Sequence, residues 1–333
     1  MDRNTSETIR QLFQESNRIV ITSHIRPDGD AIGAVLGLGT ALVDAGKQVQ
    51  IVMADGIPAV FRYLPNSNMV TKKIQGDYDI AIVLDCSDLQ RTGDVLGEKV
   101  PNLAIDHHVT NLNFAQINWV QPEAAATCEI LTLMLPDWGL QINQQTATAF
   151  LAGIVTDTIG FRTSNTRPET LRCAASLMEL GAPLSEVYYH TLLRQSYQAA
   201  GLWGKGLARL QRQDRLVYTC LTLEDKREIG YNGNDDADLI NLLSTIDDVD
   251  IAMIFVEQSK DLTKVSWRAQ PGIDVAQIAV QFGGGGHLAA AGAQISGTIE
   301  EVIQKVLQKT AQISAEGLIS NNGTSASNGE TIK

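Results

Sequence analysis

The chain is short of positive charge, of long apolar runs and of paired cysteines, and each shortage removes a class of function. Lysine and arginine total 26 against 38 aspartates and glutamates, a formal net charge of −12. Proteins that grip long duplex nucleic acid carry a basic stripe, and none is visible here. A helical membrane span needs roughly 18 uninterrupted apolar residues, and no segment supplies them. Met1 to Arg10 is polar and mixed in charge, unlike a secretory signal. The four cysteines, Cys86, Cys128, Cys173 and Cys220, are widely spaced without a CxxC pair. Zinc ribbons and disulfide frameworks are therefore not expected. Buried free thiols in a reducing cytoplasm are. Cys86 adjoins Asp85 and reads as a small buried residue, not a nucleophile.

What the chain does have is alternation. Its 333 residues suffice for two domains. Helical spacing is expected at 5–14, 31–45, 124–135, 143–155 and 168–180. Short apolar runs at 18–22, 48–53, 79–84 and 102–105 read as strands, the third as continuously apolar as a buried parallel strand. This predicts an α/β fold, a doubly wound parallel sheet. Residues 184–210 read as one helix joining the domains. Beyond it, strands at 215–222, 250–256 and 264–268, helices at 237–244, 274–280 and 300–312, and a strand ending at Ile295 predict a smaller α+β domain. The expected boundaries are 1–185, a helical linker 186–211, the second domain 212–313 and a disordered tail 314–333, rich in Ser, Asn, Gly and Thr.

Chemistry-bearing residues sit where the apolar runs end. The blocks are His24-Ile-Arg-Pro-Asp28-Gly-Asp30, Leu84-Asp85-Cys-Ser-Asp88, Asp106-His107-His108 and Gly153-Ile-Val-Thr-Asp157. Strand ends of an open α/β sheet converge on one crevice, so Asp28, Asp30, Asp85, Asp106 and Asp157 are expected to face one another. So many carboxylates do not stay ionised together without counter-charge. Divalent metal supplies it, and His and Asp donors around two metals form a phosphoester-cleaving device. A helix cap explains one acidic residue such as Asp30, but leaves His24 unexplained. Asp157 at a helix C-terminus is disfavoured by the dipole, which again argues for a cation. Asp88 reads as a cap in a loop. The side chains of adjacent His107 and His108 should diverge, one toward metal and one toward substrate. Imidazole mixed with carboxylate suits Mn²⁺ better than Ca²⁺ or Mg²⁺.

A further block, Phe282-Gly-Gly-Gly-Gly-His287, lets backbone N–H groups wrap an anion. It lacks the Gly-Lys-Ser/Thr ending of a P-loop and is no GxGxxG fingerprint. Period-two spacing puts Lys264, Ser266 and Arg268 on one face of a strand, with Trp267 on the other. Arg268 suits a bidentate phosphate contact. The acidic runs 234–238 and 247–250 lack the pattern of an EF-hand loop and read as solvent-facing caps.

Taken in order, these motifs resemble the DHH/DHHA1 phosphoesterase family, in its oligoribonuclease and 3′-phosphoadenosine-5′-phosphate (pAp) phosphatase branch. The resemblance covers nearly the whole chain except the tail. It implies two divalent ions, most often manganese. One would be held by His24, Asp28 and Asp85, the other by Asp30, Asp85, His107 and Asp157. It implies that Asp106 supports His107, that His108 contacts the scissile phosphate, and that Gly284, Gly285, His287 and Arg268 bind the substrate's terminal phosphate or nucleotide. Ala34 and Ala269 stand where the family often has Ser. The implied substrates are very short single-stranded RNA and pAp, with the second domain closing over the site, no long duplex and no membrane. A homodimer through the first domain is also implied. Cyclic or linear dinucleotide cleavage, pyrophosphate hydrolysis and nucleotide sensing without turnover are the competing readings.

Overall fold

In the computed structural model, which describes residues 3–315, the apolar runs of the first half become one parallel sheet. Its strands are β1 (Arg18–Thr22), β2 (Gln48–Val52), β3 (Val70–Thr71), β4 (Ile80–Leu84), β5 (Leu103–Asp106) and β6 (Ile117–Val120). They lie in the order β3-β2-β1-β4-β5-β6, every pair parallel. β4 is buried at every position, as a strand covered on both faces must be. Alternate residues serve opposite sides. Ile19, Ile21, Ile51, Ile82, Leu84 and Ile105 join the main core, while Val20, Val52, Ala81 and Val83 join a smaller one.

The main core is covered by α1 (Arg3–Glu15), α2 (Gly29–Asp44), α3 (Thr127–Met134), α4 (Gln144–Asp157), α5 (Pro168–Glu179) and α6 (Leu184–Tyr188). The smaller core is closed by connecting segments that contribute Leu96, Tyr78, Leu89 and Phe114. α2 and α4 pack almost backbone to backbone. A Cβ on Gly33 would stand 2.5 Å from the Ala149 carbonyl oxygen, so the close approach needs a residue without one. The chain runs from β1 through β2 to β3 on one side, then returns and runs from β4 through β5 to β6 on the other. The direction switches between β1 and β4, where an open α/β sheet leaves its crevice.

The run expected as a single helix, 184–210, is interrupted. α6 passes into a π turn at Tyr189–Leu193, Arg194 is extended, and α7 begins at Tyr197. Ser196 ends the interruption by accepting from the Ala199 N–H at 3.0 Å. Its hydroxyl is better used as a cap than inside a helix. The chain divides at the same place into two compact units, Met1–Arg194 and Gln195–Lys333.

The second unit holds α7 (Tyr197–Ala208), α8 (Leu223–Ile229), α9 (Leu239–Leu243), α10 (Ala276–Val280) and α11 (Ile299–Ala315). Its strands are β7 (Gln211–Gln213), β8 (Leu216–Leu221), β9 (Ile251–Ser259), β10 (Leu262–Ala269), β11 (Gly285–His287) and β12 (Ala290–Ser296). They form a mixed sheet, β11-β12-β10-β9-β8-β7, with only β8 and β9 parallel. Met253, Phe255 and the fully buried Trp267 pack with Ile278, Val302 and Val306 on one face. Ala252, Ile254 and Val256 pack with Leu202, Leu239 and Leu243 on the other. The expected tail, 314–333, lies outside the described residues from 316 onward.

Candidate metal centre

Three strand ends and one helix end deliver the predicted blocks to one place. His24 follows β1, Asp85 follows β4, and Asp106 closes β5 ahead of His107 and His108. Asp28 is the N-cap of α2, accepting from the N–H groups of Asp30 and Ala31 at 3.1 and 3.0 Å. The cap is therefore Asp28, and Asp30 in the first turn of α2 is released for other work. Asp157 is the last residue of α4. Asp85 has φ +50, a left-handed conformation that costs a non-glycine residue about 1 kcal/mol or more and is typical of functional positions.

The donor atoms converge. His24 Nε2 lies 3.8 Å from Asp28 Oδ2 and 3.6 Å from Asp85 Oδ2. His107 Nε2 lies 4.0 Å from Asp30 Oδ2, 3.6 Å from Asp85 Oδ1 and 3.4 Å from Asp157 Oδ2. Three trios, His24/Asp28/Asp85, Asp30/His107/Asp157 and Asp85/His107/His108, each bring their ligand atoms within 4.8 Å of one another. Asp85 belongs to two of them. Among the described residues no lysine or arginine pairs with any of the five aspartates, whose ionic contacts are all to histidines. This donor set matches a divalent cation: oxygen and imidazole ligands, excess negative charge and no competing basic side chain.

Protonation reflects the same crowding. Burial and the charge of Asp85 push Asp30 up to about 7. Burial and Asp30 push Asp157 up to about 8. Burial disfavours a charged His24, but hydrogen bonding to Asp28 and Asp85 outweighs it and raises the ring to about 10. For His107 burial again opposes, and the charges of Asp30, Asp85 and Asp157 prevail, raising it to about 9. Upward shifts of carboxylates and imidazoles together mark a site with more negative charge than its own side chains balance.

Each imidazole is oriented through its other nitrogen, the usual arrangement around a metal. His24 Nδ1 is 2.9 Å from the Ile25 carbonyl. His107 Nδ1 is 3.2 Å from the Ala124 carbonyl. Carbonyls only accept, so both rings donate from Nδ1 and turn Nε2 to the carboxylates. His108 Nδ1 lies 2.7 Å from Asp106 Oδ1. That hydrogen bond raises His108 and leaves its Nε2 for another partner. Asp106 was expected to support His107. Its side chain instead orients the His108 ring and meets His107 only at the backbone N–H, 2.8 Å away. Its second oxygen accepts from Asn111 Nδ2 at 2.6 Å.

Sequence reading missed the turn at 124–128. Asp30 accepts from the N–H groups of Thr127 and Cys128 at 2.6 and 3.0 Å, and Thr127 Oγ1 donates to Asp85 Oδ1 at 3.1 Å. These residues are small or apolar, and nothing in their sequence marks them. Asp88 caps a short turn through the Gln90 N–H at 3.0 Å. Burial pushes the Cys86 thiol up to about 11, away from nucleophilic use. All four cysteines are free, three of them buried and Cys220 half-buried.

The substrate candidates lie in the second unit. Lys264, Ser266 and Arg268 share one face of β10 and line a cavity of about 380 Å³ with Asp235, Asp236 and Asp238. Burial lowers the pKa of Arg268. Its guanidinium makes no ion pair among the described residues and donates to the Trp267 carbonyl at 3.0 Å. The acidic run was expected to face solvent. Asp236 is buried instead and accepts from the Ile240 N–H at 3.0 Å, so part of the run turns inward. The glycine block forms a sheet edge. Gly285–His287 pairs with β12, and the Gly284 N–H is taken by the Ala279 carbonyl at 2.9 Å. A Cβ on Gly284 would stand 2.2 Å from the Gly292 carbonyl oxygen, so its lack of a side chain serves packing. Gly284 and Gly285 do not line the cavity. The His287 side chain lies outside what the structure describes.

Comparison with known proteins agrees with this division. Residues 18–154 match the model of the DHH family, N-terminal domain, and residues 213–316 that of the DHHA1 domain. The chain is 34% identical, over 87% of its length and 88% of the relative's, to the bifunctional oligoribonuclease and PAP phosphatase NrnA of Thermus thermophilus. It is 30% identical to the protein of that name from Mycoplasma genitalium, over 89% and 96% of the two chains. An exopolyphosphatase-related protein from Bacteroides fragilis, at 24% identity, shares the fold with a TM-score of 0.88, covering 95% of this chain and 98% of its own.

Proposed function

The chain belongs to the DHH/DHHA1 phosphoesterase family, and from that premise we propose that it is a hydrolase that cleaves very short oligoribonucleotides to mononucleotides and pAp to AMP. The observation that carries the reading is the group of five aspartates and three histidines that no lysine or arginine joins among the described residues. Similarity along nearly the full length of relatives named for both activities supplies the substrate class. The shortage of basic residues suits a substrate a few nucleotides long better than a polymer.

Two divalent ions are proposed, manganese by ligand type. His24, Asp28 and Asp85 would hold one; Asp30, Asp85, His107 and Asp157 the other. When bound, the metals supply Lewis-acid stabilisation of the charge that builds on the phosphoryl oxygens. The chain's own groups do the rest. The Ile25 and Ala124 carbonyls keep His24 and His107 turned to the centre. Asp106 holds the His108 ring by Nδ1, so its Nε2–H is the proposed donor to the scissile phosphate. Burial of Asp30, Asp85 and Asp106 excludes water from competing at these carboxylates. In the second unit, Arg268 with Lys264 is the proposed phosphate grip, and Gly285 and His287 of edge strand β11, with Gly284 just before it, are proposed to complete the substrate site. Self-association through the first unit and a cytoplasmic setting, in keeping with four free thiols, complete it.

The test is a panel. Purified protein with Mn²⁺ is offered pAp, RNA of roughly two to five nucleotides, linear diadenylate, a cyclic dinucleotide and pyrophosphate. The expected result is fastest release from pAp and the shortest RNAs. Faster turnover of pyrophosphate or of the cyclic dinucleotide would end the reading, and nucleotide binding without any turnover would replace it with a sensor.

A further inference from the structure

Glu129 is wholly buried and takes no part in the chemistry described above, yet it sits behind the turn that holds three of the centre's donors. Its Oε2 accepts from the Ala125 N–H at 3.0 Å and from Thr170 Oγ1 at 2.8 Å. Its Oε1 accepts from the Arg167 guanidinium at 2.8 Å. Thr170 and Arg167 belong to the start of α5, so the carboxylate ties α5 to the residues just before α3. Asn165 Nδ2 reaches the Ala125 carbonyl at 3.4 Å from the same side.

The plain alternative is a helix cap. Glu129 is the third residue of α3, and a glutamate there often reaches back to a free N–H. A cap needs neither full burial nor a guanidinium and a hydroxyl from another helix. Taking a carboxylate out of water is costly unless every lone pair is served, and here three donors from two elements serve it. The result ties the turn 124–126 and the first residues of α3 to α5. That segment presents the Ala124 carbonyl to His107, the Thr127 hydroxyl to Asp85, and two N–H groups to Asp30.

We infer that Glu129, clamped by Arg167 and Thr170, is a positioning residue: it sets the segment 124–128, where the turn enters α3, and through it the aim of His107, Asp30 and Asp85 at the metals. The inference rests on the metal-centre reading. Groups that orient ligands are worth about 10- to 100-fold in metal affinity, and the same loss is expected here.

The experiment uses the full chain stripped of metal. Mn²⁺ binding is measured by titration calorimetry for wild type, Glu129→Gln and Arg167→Gln, with circular dichroism melts in chelator to establish the fold. Glutamine keeps an acceptor for the Ala125 N–H but loses the ion pair. Glu129→Gln is expected to stay folded, to bind Mn²⁺ about 10- to 100-fold more weakly, and to lose kcat on pAp with KM within about twofold. Arg167→Gln, altered at the more exposed partner, answers if Glu129→Gln fails to fold, with a loss of about 3- to 10-fold expected. Folded variants with wild-type Mn²⁺ affinity would overturn the inference and leave the centre itself standing. Wild-type protein that binds no divalent ion would overturn both.

Discussion

The two units of this chain treat negative charge in opposite ways. In the second unit two carboxylates beside the sheet, Asp225 and Asp250, have forked guanidinium partners. Asp225 meets Arg209 through both oxygens, and Asp250 meets Arg215 in the same forked fashion, 2.7 Å on each arm. In the first unit five aspartates crowd around three imidazoles, and among the described residues neither lysine nor arginine reaches them. The first unit does not lack the means to pair a carboxylate, since Arg167 pairs with buried Glu129. The contrast therefore separates two uses of aspartate. A carboxylate matched to arginine holds the fold together, whereas a cluster joined by three imidazoles and left without lysine or arginine could hold a metal ion.

The largest effect that sharpens this contrast is loss of the shared ligand. Asp85→Ala is expected to slow pAp hydrolysis by about three orders of magnitude, about 4 kcal/mol of barrier. In chelator the melting temperature should stay the same or rise, because a carboxylate is removed from a crowded acidic cluster. Activity within tenfold of wild type would show that Asp85 is not the common ligand. Metal removal comes next. At free Mn²⁺ 1,000 times its dissociation constant, binding adds about 4 kcal/mol to the folded state. Hydrogen exchange with and without chelator should place that gain in residues of the first unit and leave the second unchanged. Equal changes in both would break the comparison.

The paired carboxylates give the opposite signature. Burial works against a charged Asp225, but Arg209 and the backbone and hydroxyl of Thr222 hold its carboxyl at about 2, below the ordinary 3.8. A group depressed on folding stabilises above its unfolded pKa and loses that contribution as pH falls through the folded value. Asp225→Asn is therefore expected to cost about 2 kcal/mol at pH 7. The gap to wild type should close between about pH 4 and pH 2. A gap that persisted to pH 2 would show that packing, and not charge, is lost. The smallest effect belongs to the cavity of the second unit. Arg268→Ala should raise KM for pAp about tenfold, about 1.4 kcal/mol, with kcat within about twofold and an unchanged melt. A fall in kcat with KM constant would move Arg268 from binding to the chemistry.

Much of the first unit is legible along the chain. Buried parallel strands announce themselves as short continuous apolar runs, and acidic or histidine residues at their ends follow the rule for open sheets. β3 escapes because two residues give no period to read, and β6 because Asn118 interrupts its short apolar run. The break near Arg194 escapes because apolar spacing continues on either side of a π turn and a serine cap. In the second unit the inward turn of Asp236 and the use of the glycine block as a sheet edge depend on what packs against them, and both look like ordinary loop composition. Asp106 was assigned to the wrong histidine ring, since adjacent side chains on an extended segment are separated by rotation about bonds that sequence does not specify.

The order of residues determined which groups gather at the strand ends, because a parallel sheet carries its carboxyl ends to one edge whatever the surrounding detail. It also determined that their charge would be excessive, since the blocks hold no lysine and no arginine except Arg26. Tertiary structure alone decided which nitrogen of each histidine faces the centre, that Asp28 caps a helix while Asp30 is held by the start of another, and that Glu129 supports the arrangement from behind. Those choices depend on hydrogen bonds between segments far apart in the chain, such as Thr127 to Asp30, and such partners meet only once the core has packed.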